Sequence, residues 1–589
     1  MPKFSITTRS YDNNRSGNNS NEIVLTPDAV GSRGIKRLFS YALPGDARGT
    51  EGAVLLLPEL NMEDGVTHDV AFVATQANIV FAFDANNGDL LWATRVGNPI
   101  NNVPRIDMYS INDHWGIIST PVIDQDFNTL YCVAWSSPDG DFANGAHYFI
   151  VIDCLTGGIL NRIDLEQASY DSGISGLKEQ EFISVARKQR AGLLLTNING
   201  IKTVFIPCGS FNEDYENQGW VIAVDVTDPR GSYIATSWTT TARYSGAGIW
   251  QGGQGLAADT KGFLYGMTGN GAFDGITDFG ESFIKLQYTP KSFMSSASLK
   301  CVDWISPFSD TGRVGGDPTL TDVSLIPDYG TDKDPAGQAS NANGYNDMDL
   351  GSGGPLLVES MGMLIGAGKD GIGYVVNANN LGKTRPSDFA PNLINRNYTK
   401  FMSAPIWFTY YNPDQSPMPV DDMKLNMLYA NRTHHQHSTP VYYNSEKHGP
   451  MVFTWGENGN LRAYNLSSTG TLTYLACSAE VASPNSSVPA GGMPGGMISA
   501  TSNGRKDGII WADVPWGDAN KTVTAGRLIA YDADNFNTFK DGSKQLKVLW
   551  DSSQWNIAFS HNKFNIPHVV NGKVYNPTYD GTVDVYGLV

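Results

Sequence analysis

The residues of this chain best suited to chemistry fall in a few short clusters. Glu213, Asp214 and Glu216 put three carboxylates in one polar stretch, which is how a calcium site gathers hard oxygens and equally how a solvated loop is composed. Asn270 follows Thr268-Gly269, and an amide oxygen beside a glycine offers either a hard ligand open to close approach or a turn-forming asparagine. In Asn346-Asp347-Met348-Asp349, either Asp347 or Asp349 has the chemistry of a general base, and either would also cap a bend. Lys369, within Gly368-Lys369-Asp370-Gly371, is a cation at what is otherwise an ordinary hairpin turn. His434-His435-Gln436-His437 offers imidazoles to a metal. With no cysteine or acid beside it in sequence, such a run reads equally as surface or pocket lining. Strand alternation would put His435 and His437 on one face of the strand running into residues 438–443.

Other chemistries find no residues to carry them. There is no nucleophile elbow, no phosphate-binding Walker loop, no haem-attaching CxxCH and no placeable acid pair for glycoside hydrolysis. The cysteines Cys132, Cys154, Cys208, Cys301 and Cys477 are far apart and read as small buried residues. A net charge of -18 opposes attraction to nucleic acid or an anionic membrane surface, and no apolar run approaches the roughly 20 residues that span a bilayer. Residues 1–22 lack the apolar core of a secretory signal. The expected location is extracellular or periplasmic for a mature, processed chain, with the cytoplasm left open.

The clusters sit within a repeat. Residues 68–97 read as strand, polar turn, strand, a turn at Asp84 and Gly88, then a strand through Trp92. The same order returns over 120–165, where Asp153 and Gly157 take the turn, and over 202–238, 250–286, 354–384, 449–477 and 508–535. A last copy, 566–587, stops before its outer strand, and the orphan strand at 35–43 would complete it. Asp84, Asp153, Asp225 and Asp532 are therefore turn residues whose carboxylates bond their own backbone, not acids or bases. The glycine and aromatic content, Gly 63, Tyr 26, Phe 25 and Trp 13, suits many short strands joined by tight turns. The expected architecture is all-β: a single eight-bladed β-propeller of four-stranded antiparallel blades, closed by the amino-terminal strand joining the carboxy-terminal blade. Residues 1–33 form a polar lead and 34–589 the propeller, with long insertions near 98–115, 308–349 and 384–436 crowding its mouths.

The repeat FAFDANNGDLLW, residues 81–92, resembles the tryptophan docking motif of the quinoprotein alcohol dehydrogenases, propellers that hold pyrroloquinoline quinone with calcium. The likeness of blade grammar covers nearly the whole chain. By that resemblance Trp250, ahead of Gln251-Gly252-Gly253, is the floor beneath the quinone, although an indole packed between blades is the other reading. The resemblance further implies that Asn270 and an acid among Glu213, Asp214 and Glu216 bind calcium, that Asp347 or Asp349 is the base, and that Lys369 contacts cofactor oxygens. It departs from the family in lacking an adjacent cysteine pair, in whose approximate place stands Asn112-Asp113-His114-Trp115-Gly116. Two functions follow as expectations: oxidation of an alcohol or sugar with pyrroloquinoline quinone and calcium, or a propeller without the quinone that binds glycans or other ligands, or serves adhesion or assembly.

Overall fold

The computed structural model describes residues 2–210, 218–307, 349–384, 402–403, 406–411, 417–419, 435–484 and 492–589. Among these the chain forms a succession of antiparallel ladders in sequence order, mostly four strands each. The first comprises Leu55–Asn61, Thr67–Ala74, Ile79–Asp84 and Leu90–Arg95. Its second strand is buried from Asp69 to Ala74, because a sheet covered by neighbours on both faces has no solvent side to alternate towards.

Three consecutive later sheets carry the candidate site. The fourth is Ala257–Ala258, Phe263–Met267, Phe283–Thr289 and Ser298–Ile305. The fifth begins Leu356–Val358, Met363–Ala367 and Ile372–Asn377 and adds Ile406–Tyr411, so a ladder strand lies inside the stretch 384–436 expected to be insertion. The sixth antiparallel ladder is Val441–Ser445, Gly449–Thr454, Asn460–Leu466 and Leu472–Val481, which a single parallel pairing of Cys477 with Gln545 joins to the following ladder in one nine-stranded sheet. Within 98–115, Ile100–Asn101 pairs with His114–Trp115, and Ile100, Ile106, Trp115, Ile118 and Trp135 bury a small satellite core.

The amino-terminal strand Ile35–Ala42 pairs antiparallel with Thr582–Leu588, as the outer member of the sheet that also holds His568–Val570 and Lys573–Thr578. The turn carboxylates act as the repeat suggested. Asp84 accepts from Asn86 N–H at 2.6 Å, Asp153 from Leu155 N–H at 2.8 Å, Asp225 from Thr227 N–H at 2.9 Å and Asp532 from Asp534 N–H at 2.9 Å. Trp92 reaches from the first sheet to the second, its indole N–H donating to Cys154 O at 3.0 Å. A Cβ on Gly157 would meet that indole at 2.8 Å, so the flat docking surface requires a glycine.

The polar lead does not stand apart. Ile6 bridges Leu56 in the first sheet, and Thr7 O accepts from Ile123 N–H at 2.9 Å in the second. Arg15 donates to Leu193 O and Leu256 O, and Asn14 O accepts from Leu357 N–H at 2.9 Å in the fifth. Ser16 O accepts from Tyr442 N–H, Gly17 O accepts from Ala500 N–H, and Asn19 donates to Val569 O at 2.9 Å in the last. One short segment thus meets the inner strand of sheet after sheet. Those strands expose an unpaired backbone edge, and a stretch rich in Asn, Arg and Ser supplies the donors and acceptors that a buried edge needs.

Candidate functional site

Each sheet offers two connections at the same end: the segment that enters its first strand and the hairpin between its second and third. An antiparallel meander places them side by side. Trp250 enters the fourth sheet and Asn270 lies in its hairpin; Asp349 enters the fifth and Lys369 lies in its hairpin. Residues far apart in sequence, such as Trp250 and Lys369, meet there.

Asp349 is the hub. Its Oδ1 accepts from Asn270 N–H at 3.0 Å, and Asn270 Oδ1 accepts in return from Asp349 N–H at 2.9 Å. Its Oδ2 lies 2.7 Å from Lys369 Nζ, in a pair whose side chains are only 8% and 14% exposed. The backbone of Asp349 is left-handed, with φ 30° and ψ 67°, a conformation that costs a non-glycine residue on the order of 1–3 kcal/mol and persists where the surroundings enforce it. Leu350 N–H donates to the buried Glu281 at 2.6 Å and Gly351 N–H to Thr268 O at 3.0 Å, which pins the turn from below. Gly269 is small for a reason: a Cβ there would lie 2.3 Å from Asp349 Oδ1.

Trp250 is half-buried beside this hub. Lys369 Nζ stands 5.9 Å from its ring centre, the His437 ring 5.6 Å away and the Phe564 ring 6.0 Å away edge-on. Beneath it, Arg9 from the amino-terminal segment donates to Gly252 O at 3.3 Å and Phe564 O at 2.6 Å. Burial first, then repulsion from Arg15 and Arg190, lowers the Arg9 guanidinium to about 9.

A cationic group lies beside Phe564. Arg190 stacks over Phe564 at 4.8 Å and pairs with the buried Glu51, which also accepts from Tyr579. Burial raises the Glu51 carboxyl, but Arg190, Lys563 and those hydrogen bonds outweigh it and hold the group below its usual range. Lys188 packs 4.0 Å over Trp115 and is lowered to about 7, by burial first and then by Arg190.

Of the residues expected from sequence, Trp250, Asn270, Asp349 and Lys369 therefore come together, while Asp347 and the acids Glu213, Asp214 and Glu216 lie outside the described residues. His435 and His437 do not share a strand face. They precede the strand Val441–Ser445 in irregular backbone, because Ser438 and Gln436 are drawn into contacts with Trp455 O and Gly368 O. Both histidines nonetheless approach one acid, Glu457, in the hairpin of the sixth sheet. That acid was not singled out, since Gly456-Glu457-Asn458-Gly459 reads as a plain turn. Glu51, Arg190, Glu281 and Lys563 were missed likewise; isolated charged residues near strand ends carry no pattern of their own.

The fold is similar to that of the quinoprotein β-propellers. The quinohemoprotein alcohol dehydrogenase from Pseudomonas putida is similar in structure, with a TM-score of 0.50 and 12% identity over 99% of this chain and 80% of that one. Its counterpart from Comamonas testosteroni gives 0.49 at 12% identity over 99% and 80%, and a europium-containing methanol dehydrogenase gives 0.48 at 11% over 100% and 98%. No family model and no curated protein sequence matches the chain. Identity this low speaks to fold alone. Among the described residues no helix is long and apolar enough to cross a membrane.

The donor chemistry fits a planar anionic cofactor. A half-buried indole offers a flat apolar face, with the Lys369 ammonium 5.9 Å from its centre and Arg190 over the neighbouring Phe564 ring. Calcium is met less fully. It takes six to eight oxygens, whereas Asn270 Oδ1 is engaged by Asp349 N–H and the Asp349 carboxylate by Lys369 and Asn270.

Proposed function

We propose that the mouth beside Trp250 binds a cofactor of the pyrroloquinoline quinone type, and that the protein oxidises an alcohol or sugar there. The scaffold in this reading is an eight-bladed propeller closed by strand Ile35–Ala42. One observation supports it above others: Trp250, Asn270, Asp349 and Lys369, contributed by four separate segments, converge on one point.

Bound quinone would supply a two-electron acceptor for the substrate's carbinol carbon. The chain's own groups do the rest. Asp349 accepts the hydroxyl proton, held in orientation by its paired hydrogen bonds to Asn270. Lys369 offers its ammonium to anionic oxygens, and Trp250 keeps one face dry. Asn270, with the acids Glu213, Asp214 and Glu216, is the proposed source of calcium oxygens.

A second reading is a propeller that binds a glycan or other small ligand without catalysis. It is favoured by the Asp349 carboxylate, whose oxygens are already occupied by Lys369 and Asn270. Titration of the apoprotein with pyrroloquinoline quinone, with and without calcium, separates the two. The dehydrogenase reading expects quenched tryptophan fluorescence that Trp250→Phe diminishes, a raised thermal midpoint and dye-linked alcohol oxidation that Asp349→Asn abolishes. A folded protein showing neither quenching nor a shift would leave only the second reading.

A further inference from the structure

We propose that His435, His437 and Glu457 form a binding site for a divalent transition metal, with zinc the best match to two imidazoles and a carboxylate. The three ligand atoms lie within 4.8 Å of one another. His437 Nδ1 is 2.7 Å from Glu457 Oε1, and His435 Nδ1 is 3.9 Å from Glu457 Oε2. A tetrahedral ion with ligands at about 2.1 Å sets them about 3.4 Å apart, so small side-chain adjustments close the set.

The second observation is His437 itself. It is 1% exposed, and both its ring nitrogens are buried without a hydrogen bond even though a carboxylate oxygen lies within 2.7 Å. Buried imidazole nitrogens are nearly always satisfied, and an ion between the ring and the carboxylate would satisfy this one.

The backbone around the three ligands is fixed in advance. Glu457 N–H donates to His435 O at 2.9 Å, Gln436 N–H to Gly368 O at 3.1 Å, Ser352 Oγ to Gln436 O at 2.6 Å and Ser438 Oγ to Trp455 O at 2.7 Å. Such supports are what a metal site needs to hold its ligands in place. Lys369, the nearby cation, is neutralised by Asp349 at 2.7 Å. Three protein ligands leave a fourth position for water or an oxygen of a bound small molecule, and the His437 ring stands 5.6 Å from Trp250, at the mouth already described.

The test titrates the chelator-treated full-length protein with zinc by calorimetry and with cobalt(II) by visible spectroscopy. The expected results are one equivalent bound, tetrahedral cobalt bands, and no displacement by excess calcium. Glu457→Gln and His437→Asn are each expected to weaken binding at least tenfold with the circular dichroism spectrum unchanged. His435→Asn, at a position 16% exposed, gives a third variant should either buried change unfold the chain. Absence of cobalt bands and zinc heat in the folded wild type, or unaltered affinity in the folded variants, overturns the site.

Discussion

Asp349 and Lys369 form an ion pair of 2.7 Å across the connections of a single sheet, the carboxylate further locked by reciprocal hydrogen bonds with Asn270. Removing one partner of such a pair leaves a charge buried without its counterion, which costs about 3 kcal/mol. Lys369→Met is therefore expected to lower the unfolding free energy by about that amount, and Asp349→Asn combined with it to recover part of the loss. Urea denaturation of both single variants and the double variant measures the coupling. Strictly additive losses would show that the two side chains do not interact.

Gly269 tests the closeness of the hub. An alanine Cβ there must displace the Asp349 carboxylate from a 2.3 Å approach, and forced repacking of this kind costs about 1–3 kcal/mol. Gly269→Ala should fold, melt lower, and lose at least tenfold in affinity for any ligand captured through Asp349. A variant with wild-type binding and melting would show that the loop moves aside freely.

The amino-terminal segment is expected to be integral to stability. Arg9 and Arg15 are buried and together donate to backbone carbonyls of residues 9, 193, 252, 256 and 564. Truncating Arg15 to methionine strands several of those carbonyls, each at about 1–3 kcal/mol. Removal of residues 2–22 should lower the thermal midpoint further than that single change. A shortened chain melting like the full one would refute the role assigned to the segment.

Asp278 gives a pH signature. Burial first, then Asp274, raises its carboxyl to about 7 although Tyr244 N–H and Thr277 Oγ1 donate to it. The folded state therefore holds a proton that the unfolded state releases near the ordinary carboxyl value of 3.8, and the stability from this group is lost as pH rises from about 4 to 7. Asp278→Asn should be near neutral at pH 4 and stabilising at pH 8, by up to about 4 kcal/mol for a shift of this size. Equal melting shifts at both pH values would contradict the assignment.

What the sequence by itself determined was whatever repeats or acts locally. The Asp84, Asp153, Asp225 and Asp532 turns, the docking role of Trp92 and the pairing of strand 35–43 with the carboxy-terminal unit were legible, because each depends on alternation and a turn residue within one repeat. The grouping of Trp250, Asn270, Asp349 and Lys369 was legible only through a family likeness. Tertiary structure alone decided the rest. That His435 and His437 face Glu457, that Glu51 gathers Arg190 and Tyr579, and that a polar lead lines the inner strands all depend on which segments become neighbours when sheets pack side by side. No local pattern marks a single charged residue for a partner hundreds of positions away. Only burial, which makes an unpaired charge or backbone edge costly, brings such partners together.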